Sequence, residues 1–298
     1  MATRENYNIL RPLADAMENF IKTVWYNRNP IPNYIEYKPI DEIRVGNSLS
    51  LKLGRARTND IYLNINQQFP HTLVVGNTGQ GKSNCIKSIL ASTINNYPNT
   101  DLYLLDFKAV ELNIFKNVRQ CKMYEYDSDK ITESLEIIYN LIQEKYQDMM
   151  MRNQYKANVY DKTSILIVEE ISIASKKDIK ILQKILAIAR AVNFYVIITT
   201  QRPSCDIISP VLKSLISNII CFKTSNKATS VICIEQEGAE ELECIGRGYF
   251  KNDYQLVKFQ SFYISDEVLN EIIENNTNII NTSKVKSDSN DEEWLNKL

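Results

Sequence analysis

The sequence predicts an α/β three-layer sandwich, a mostly parallel β-sheet with helices on both faces. Three observations carry that prediction. From Thr72 to about Phe262, short apolar runs alternate with longer stretches of helical period. The runs are apolar throughout instead of alternating with polar residues, which suits strands covered on both sides. Glycine is scarce, 8 in all, and three of them (Gly76, Gly79, Gly81) crowd between the first run and the first helical stretch. Clustered this way, glycine marks a place where the backbone must curl or be closely approached.

In chain order, TLVVG (72–76), LYLLD (102–106), SILIVE (164–169), FYVIITT (194–200) and NIICF (218–222) read as buried parallel strands. Helices are expected at Lys82–Asn95, Asp129–Asn153, Lys176–Val192 and Ser209–Ser217. In the last, Ser209 can cap and Pro210 fits the first turn. Strand–helix–strand units joined by right-handed crossovers give the layered arrangement. Gly248–Tyr263 has period-two character around a polar turn and reads as a closing hairpin. Gly46 and Gly54 precede the first strong strand. Residues 1–60 are expected to be an amino-terminal appendage, a helix followed by a strap (NRNPIPNYIEYKP). Residues 61–275 form the main domain, and residues 276–298 a polar tail. The tail reads either as a mobile end or as a partner-binding peptide anchored by Trp294 and Leu295.

Composition narrows the function. With 44% apolar and 24% charged residues, the 298-residue chain is neither disordered nor a disulfide miniprotein. Its 35 Lys+Arg against 36 Asp+Glu give a net charge of −1, so global basicity points to no polyanionic partner. Locally the picture differs. Between Ile171 and Ile234, Lys176, Lys177, Lys180, Lys184, Arg190, Arg202, Lys213, Lys223 and Lys227 face only Asp178 and Asp206. Binding a phosphate backbone needs local positive charge, although Lys176–Lys184 at helical spacing read equally as a solvated face. No apolar run approaches the roughly 20 residues that span a bilayer. Six scattered cysteines without a C-x-x-C pair and a single histidine, His71, argue against zinc and for reduced thiols in a cytoplasmic protein.

Chemistry concentrates at strand ends. Gly76-Asn77-Thr78-Gly79-Gln80-Gly81-Lys82-Ser83 is a complete G-x-x-x-x-G-K-S between a buried strand and a helix, the P-loop context. Its backbone N–H groups, with those of the adjoining Asn84, would cradle a triphosphate. Lys82 would bridge the β- and γ-phosphates, and the Ser83 hydroxyl would hold Mg²⁺. ATP and Mg²⁺ are therefore the expected ligands. Glu169 and Glu170 end a strand expected to neighbour the P-loop strand. Glu169 is the second metal-side group and Glu170 the general base. Many P-loop ATPases place Asp where this chain has Glu169, and the extra methylene carries the carboxylate about 1.5 Å further. Asp106 and Lys108 end a third strand. Gln201 ends a fourth, where an amide can touch both the γ-phosphate and the lytic water. Ligands of open α/β sheets bind outside the carboxyl ends of the strands, where these four segments converge.

The order GNTGQGKS, LLDFKAVEL, ILIVEE, RAVNFYVIITTQRPSCDIISPVLKSLISNII, GAEEL, GRGYF resembles the FtsK/SpoIIIE family of double-stranded DNA translocases over about Leu49–Phe250. The GRGYF ending and the following FQSFY resemble, at a finer level, coupling ATPases of Gram-positive conjugative elements. The resemblance implies a RecA-like ATPase motor that closes into a homo-hexameric ring around duplex DNA. Arg190 matches the family's arginine finger, which reaches a neighbour's site, although by itself it reads equally as a solvated helix-end cation. Arg202, Lys213 and Lys227 match positions lining the DNA channel, whereas a further basic family position is Val231 here. With no winged helix and no membrane anchor expected, the resemblance implies a loading partner, a relaxase-like protein or a membrane complex at which this cytoplasmic ATPase sits peripherally. Secretion ATPases of the same type, acting on a polypeptide, are the alternative.

Overall fold

The computed structural model describes residues 30–40, 48–158, 161–204 and 206–277, with Met17, Arg44 and Gly46. The expected amino-terminal helix, Cys205 and nearly all of the polar tail, with Trp294 and Leu295, lie outside them. The five expected parallel strands are present as β3 (His71–Val75), β4 (Asp101–Asp106), β6 (Ser164–Glu169), β7 (Phe194–Thr200) and β8 (Asn218–Phe222). The expected hairpin is β9 (Arg247–Lys251) and β10 (Leu256–Ser261). Three further strands complete one ten-stranded sheet: β1 (Leu49–Arg55), β2 (Asp60–Ile65) and β5 (Cys121–Glu125). Its order is β2-β1-β10-β9-β8-β3-β7-β6-β4-β5. The six strands from β8 to β5 run parallel, and the four at the other edge are antiparallel.

The central strands show why their sequences do not alternate. In β7, Tyr195 and Ile197 enter one core, while Phe194, Val196 and Ile198 enter the other. One core lies beneath α1 (Lys82–Asn96) and α6 (Asp266–Asn276). The opposite one lies beneath α2 (Ser128–Met151), α3 (Lys176–Ala189), α4 (Pro210–Ser214) and α5 (Lys227–Ile234). Burying both faces of a strand removes the polar half of the pattern.

Local caps explain the helix starts. Ser175 and Asp178 make a reciprocal capping box on α3, Asp127 caps α2, and Ser209 caps the short α4. Helix α4 stops at Ser214, short of the expected Ser217, and α3 tightens into a 3₁₀ turn at Arg190–Val192. Asn193 then takes a left-handed conformation (φ 53°) that a β-branched residue would resist. It turns the chain into β7.

Three expectations change. First, Gly54 precedes β3 but lies within a strand of its own, β1, and residue 60, where the appendage is expected to end, is the first residue of β2, which pairs with β1. A Cβ on Gly54 would stand 2.1 Å from the Gln260 carbonyl oxygen, so glycine is what lets β10 join β1. Second, β6 does not neighbour β3, because β7 is inserted between them. Third, the strap at 31–38 does not stand apart: it lies against the end of β10, with Glu36 bridged in parallel to Tyr263.

Candidate functional site

The loop 76–81 leaves β3 and opens α1 without a side-chain cap, so the first amides of the helix stay available. Gly81 has φ +104°, and a Cβ there would meet the Gly246 Cα at 2.8 Å. The phosphate loop is thus packed backbone-to-backbone on the turn before β9, and the Gly246 N–H donates to the Gln80 carbonyl at 3.0 Å.

Inserting β7 between β3 and β6 gives the site its central contact. Lys82, 4% exposed, is ion-paired with Glu169, and Thr199 of β7 sits between them. The Lys82 Nζ donates to Thr199 Oγ1 at 3.3 Å, and that hydroxyl donates to Glu169 Oε2 at 2.5 Å. Burial pushes the Glu169 carboxyl above its ordinary range, and the adjacent Lys82 ammonium opposes that rise.

Glu170 adopts a left-handed backbone (φ 62°) that turns its side chain away from Lys82 toward the β4 loop. Its Oε2 accepts from Lys108 Nζ at 2.8 Å. Its Oε1 accepts from the Gln201 N–H at 3.1 Å, from Thr200 Oγ1 at 3.3 Å and from Ser172. Burial alone would raise this carboxyl, but Lys108, Ser172 and the Gln201 N–H hold it below its usual value. Asp106, at the end of β4, is fully buried. Its oxygens accept from the N–H groups of Lys108, Glu111 and Leu112 at 2.9–3.1 Å, which folds the loop after β4. That fold delivers Lys108 to Glu170, and Glu111 to Ser83, whose Oγ donates to Glu111 Oε1 at 2.6 Å.

A cavity of about 640 Å³ joins Asn77, Thr78, Lys82, Ser83, Glu111 and Gln201. Gln201 Oε1 accepts from Thr78 Oγ1 at 2.9 Å, so β7 and the phosphate loop are directly linked. Asn84 lines the same cavity, but its amide is engaged on both sides by the Ile264 backbone (3.0 and 3.2 Å). Sequence reasoning missed Glu111 and Thr199. Each leaves a signal in hindsight: an unassigned acid in the loop after β4, and a hydroxyl at the end of a buried strand.

The remaining expected residues do not gather here. Arg190 is exposed beside His71 at the amino-terminal ends of β3 and β7. That edge lies about 16 Å, five residues of strand rise, from the phosphate loop. Arg202 is exposed and borders a cavity with Gln201, Ser225 and Thr229. Lys213 lies near the opposite end of β8, ion-paired with Glu235 at 3.1 Å, which also takes Lys251 at 2.7 Å. Lys227 is ion-paired with Glu237 at 2.6 Å. The three cations expected to face DNA therefore form no single cluster, and two of them carry carboxylate partners. Five described cysteines are free thiols. No helix among the described residues is long and apolar enough to cross a membrane.

Residues 44–165 match the FtsK/SpoIIIE family. The DNA translocase FtsK of Staphylococcus aureus (strain Mu50) is 29% identical over 255 residues, 76% of this chain. That of Staphylococcus epidermidis (strain RP62A) is 30% identical over 254 residues, also 76% of this chain. The alignment spans 32% of each of these relatives, about a third of their length. Among solved structures, the conjugation coupling protein TcpA of pCW3, a monomer with ATPγS, gives a TM-score of 0.72 at 20% identity, covering 83% of this chain and 75% of that one. EssC of Geobacillus thermodenitrificans (ATPases 2 and 3) gives 0.70 at 15% identity, covering 82% and 50%. At such identities the structures establish a common α/β P-loop fold.

Proposed function

We propose, on the premise that this chain belongs to the FtsK/SpoIIIE family of P-loop ATPases, that it binds Mg·ATP at residues 76–83 and couples hydrolysis to movement of duplex DNA. The observation that carries the reading is the Thr78–Gln201 hydrogen bond. It joins the phosphate loop to the residue before Arg202, a contact through which nucleotide state would reach that residue.

The chain's own residues supply the parts. Lys82 leaves its carboxylate partner when a stronger polyanion arrives. Glu169 and Thr199 fix where that ammonium waits. Ser83 and Glu111 offer hard oxygens that fit Mg²⁺. Among the described residues no cluster of three or more acidic, His or Cys side chains could hold a metal, so a bound ion would also need ligands from the nucleotide. When bound, such an ion would neutralise charge on the phosphates. Glu170 acts as base once Lys108 lets go. Arg190 lies on the edge away from its own phosphate loop, which supports a finger role only toward a neighbouring copy, and hence a ring, hexameric in this family.

Arg202, Lys213 and Lys227 are the proposed duplex contacts. The relatives named as DNA translocases and the coupling protein with ATPγS favour this substrate, a cytoplasmic setting and a partner that loads the ring. The test is ATP turnover with and without duplex DNA. Wild type rises with duplex, Lys82→Ala shows none, and Gln201→Ala loses the stimulation. Turnover indifferent to DNA refutes the coupling. A polypeptide substrate, as for the secretion ATPases, is selected instead if Arg202→Ala with Lys213→Ala leaves duplex affinity unchanged.

A further inference from the structure

The strap from Ile31 to Lys38 has almost no regular structure, yet it is fastened along its length. The Tyr263 N–H donates to the Ile35 carbonyl, and the Tyr37 N–H to the Tyr263 carbonyl, both at 2.7 Å. The Tyr37 hydroxyl is buried against Ser92 of α1 at 2.9 Å. At the other end, Arg247 Nη2 donates to the Pro32 carbonyl and to Asn33 Oδ1, both at 2.9 Å, and to the Ile31 carbonyl at 3.3 Å. Arg247 Nε meanwhile donates to Gln260 at 3.0 Å. Five donors in a rigid fork suit that task, and a lysine cannot copy it.

Between these fastenings Tyr34 is left 61% exposed. Its ring leans on Tyr263, itself 47% exposed, with centroids 5.6 Å apart and planes tilted by 41°. Both rings, with the exposed Ile245, line the cavity that holds Lys82 and Ser83. The nearby backbone is already committed. The Ile35, Tyr263, Ile245 and Gly246 carbonyls all accept hydrogen bonds within the protein. This part of the wall therefore offers flat apolar faces, while the phosphate loop offers amides and a cation. A nucleotide matches both: a polyanion at one end and a π-ring at the other. The volume, about 640 Å³, lies within the usual range of small-molecule sites.

We infer, on the nucleotide reading above, that the strap completes the base subsite, with the purine packing on the Tyr34–Tyr263 wall and Arg247 positioning that wall. Aromatic–base packing is worth about fivefold to a hundredfold in affinity by alanine substitution. The amide bridge from Asn84 to Ile264 gives the same segment its second tie, connecting Tyr263 to the phosphate-binding helix.

The experiment compares calorimetric binding of ATPγS and of inorganic tripolyphosphate, with Mg²⁺, to the full chain. Tyr34→Ala and Tyr263→Ala are expected to weaken ATPγS by about tenfold and to leave tripolyphosphate unmoved. Tyr34→Phe retains wild-type affinity because the ring remains. Arg247→Lys shows the same split between the two ligands, which general loosening of the fold would not produce. Equal weakening of both ligands, or no weakening of ATPγS, overturns the base subsite while leaving the phosphate site intact. A wild-type chain that binds neither ligand refutes the nucleotide reading itself.

Discussion

Removing Lys82 is expected to cost this protein folding stability as well as nucleotide binding. The Lys82 ammonium and the Glu169 carboxylate are 4% and 2% exposed and face each other. Removing one member of such a pair strands the other charge, at a cost of about 3–5 kcal/mol. Thr199 still donates to Glu169 at 2.5 Å, which places Lys82→Met near the lower end, about 3 kcal/mol. Replacing both groups, Lys82→Met with Glu169→Gln, leaves no stranded charge and costs about 1 kcal/mol. The pH dependence follows from the sign of the Glu169 shift. Burial already holds this carboxyl above its unfolded value, and losing Lys82 raises it further. The folded state then keeps a proton that the unfolded chain releases, so the stability of Lys82→Met falls as pH rises above about 4.5. Urea unfolding without nucleotide, at pH 5.5 and 7.5, checks both statements. A single variant as stable as wild type at pH 7.5, or a double variant whose loss is the sum of the singles, refutes the argument.

Two further outcomes are expected. His71 is buried, with Nδ1 accepting from the Val196 N–H at 3.1 Å and Nε2 bonded to the Leu186 carbonyl at 3.0 Å; burial lowers its pKa to about 3. The unfolded chain therefore takes up a proton that the folded one refuses, and stability falls as pH drops from 6.5 toward 3, by about 1.4 kcal/mol per unit. Urea melts across that window should show the slope, and His71→Asn should flatten it; an equal slope in the variant excludes His71 as its source. Second, Glu235 and Glu237 neutralise Lys213, Lys251 and Lys227. Glu235→Gln with Glu237→Gln should tighten duplex binding by about fivefold and steepen its salt dependence. Unchanged affinity and salt slope in fluorescence anisotropy would remove these lysines from the proposed duplex contacts.

The central strands, the P-loop and the Ser209 cap were legible because each rests on neighbours in sequence. An apolar run, a glycine cluster before Lys82, or Ser209 ahead of Pro210 states its own local geometry. The strands β1, β2 and β5 were not, since they lie toward the sheet edges and need only part of an apolar pattern; in β5 no residue is fully buried. Helices α5 and α6 did carry signals, Asn226 and Ser265 at their caps, in stretches too short for periodicity to announce them.

By itself, then, the sequence picked out the residues proposed to meet a triphosphate: Lys82, Ser83, the paired acids and Gln201. The tertiary structure decided what each one touches. Inserting β7 between β3 and β6 put Thr199 between Lys82 and Glu169, the bend at Asp106 sent Lys108 to Glu170 and Glu111 to Ser83, and Arg247 drew a strap from more than two hundred residues away onto the same cavity. The reason is physical. Strand order and loop docking are settled by contacts between distant segments, whose free energy depends on what the rest of the sheet leaves exposed, and no window of neighbouring residues contains that information.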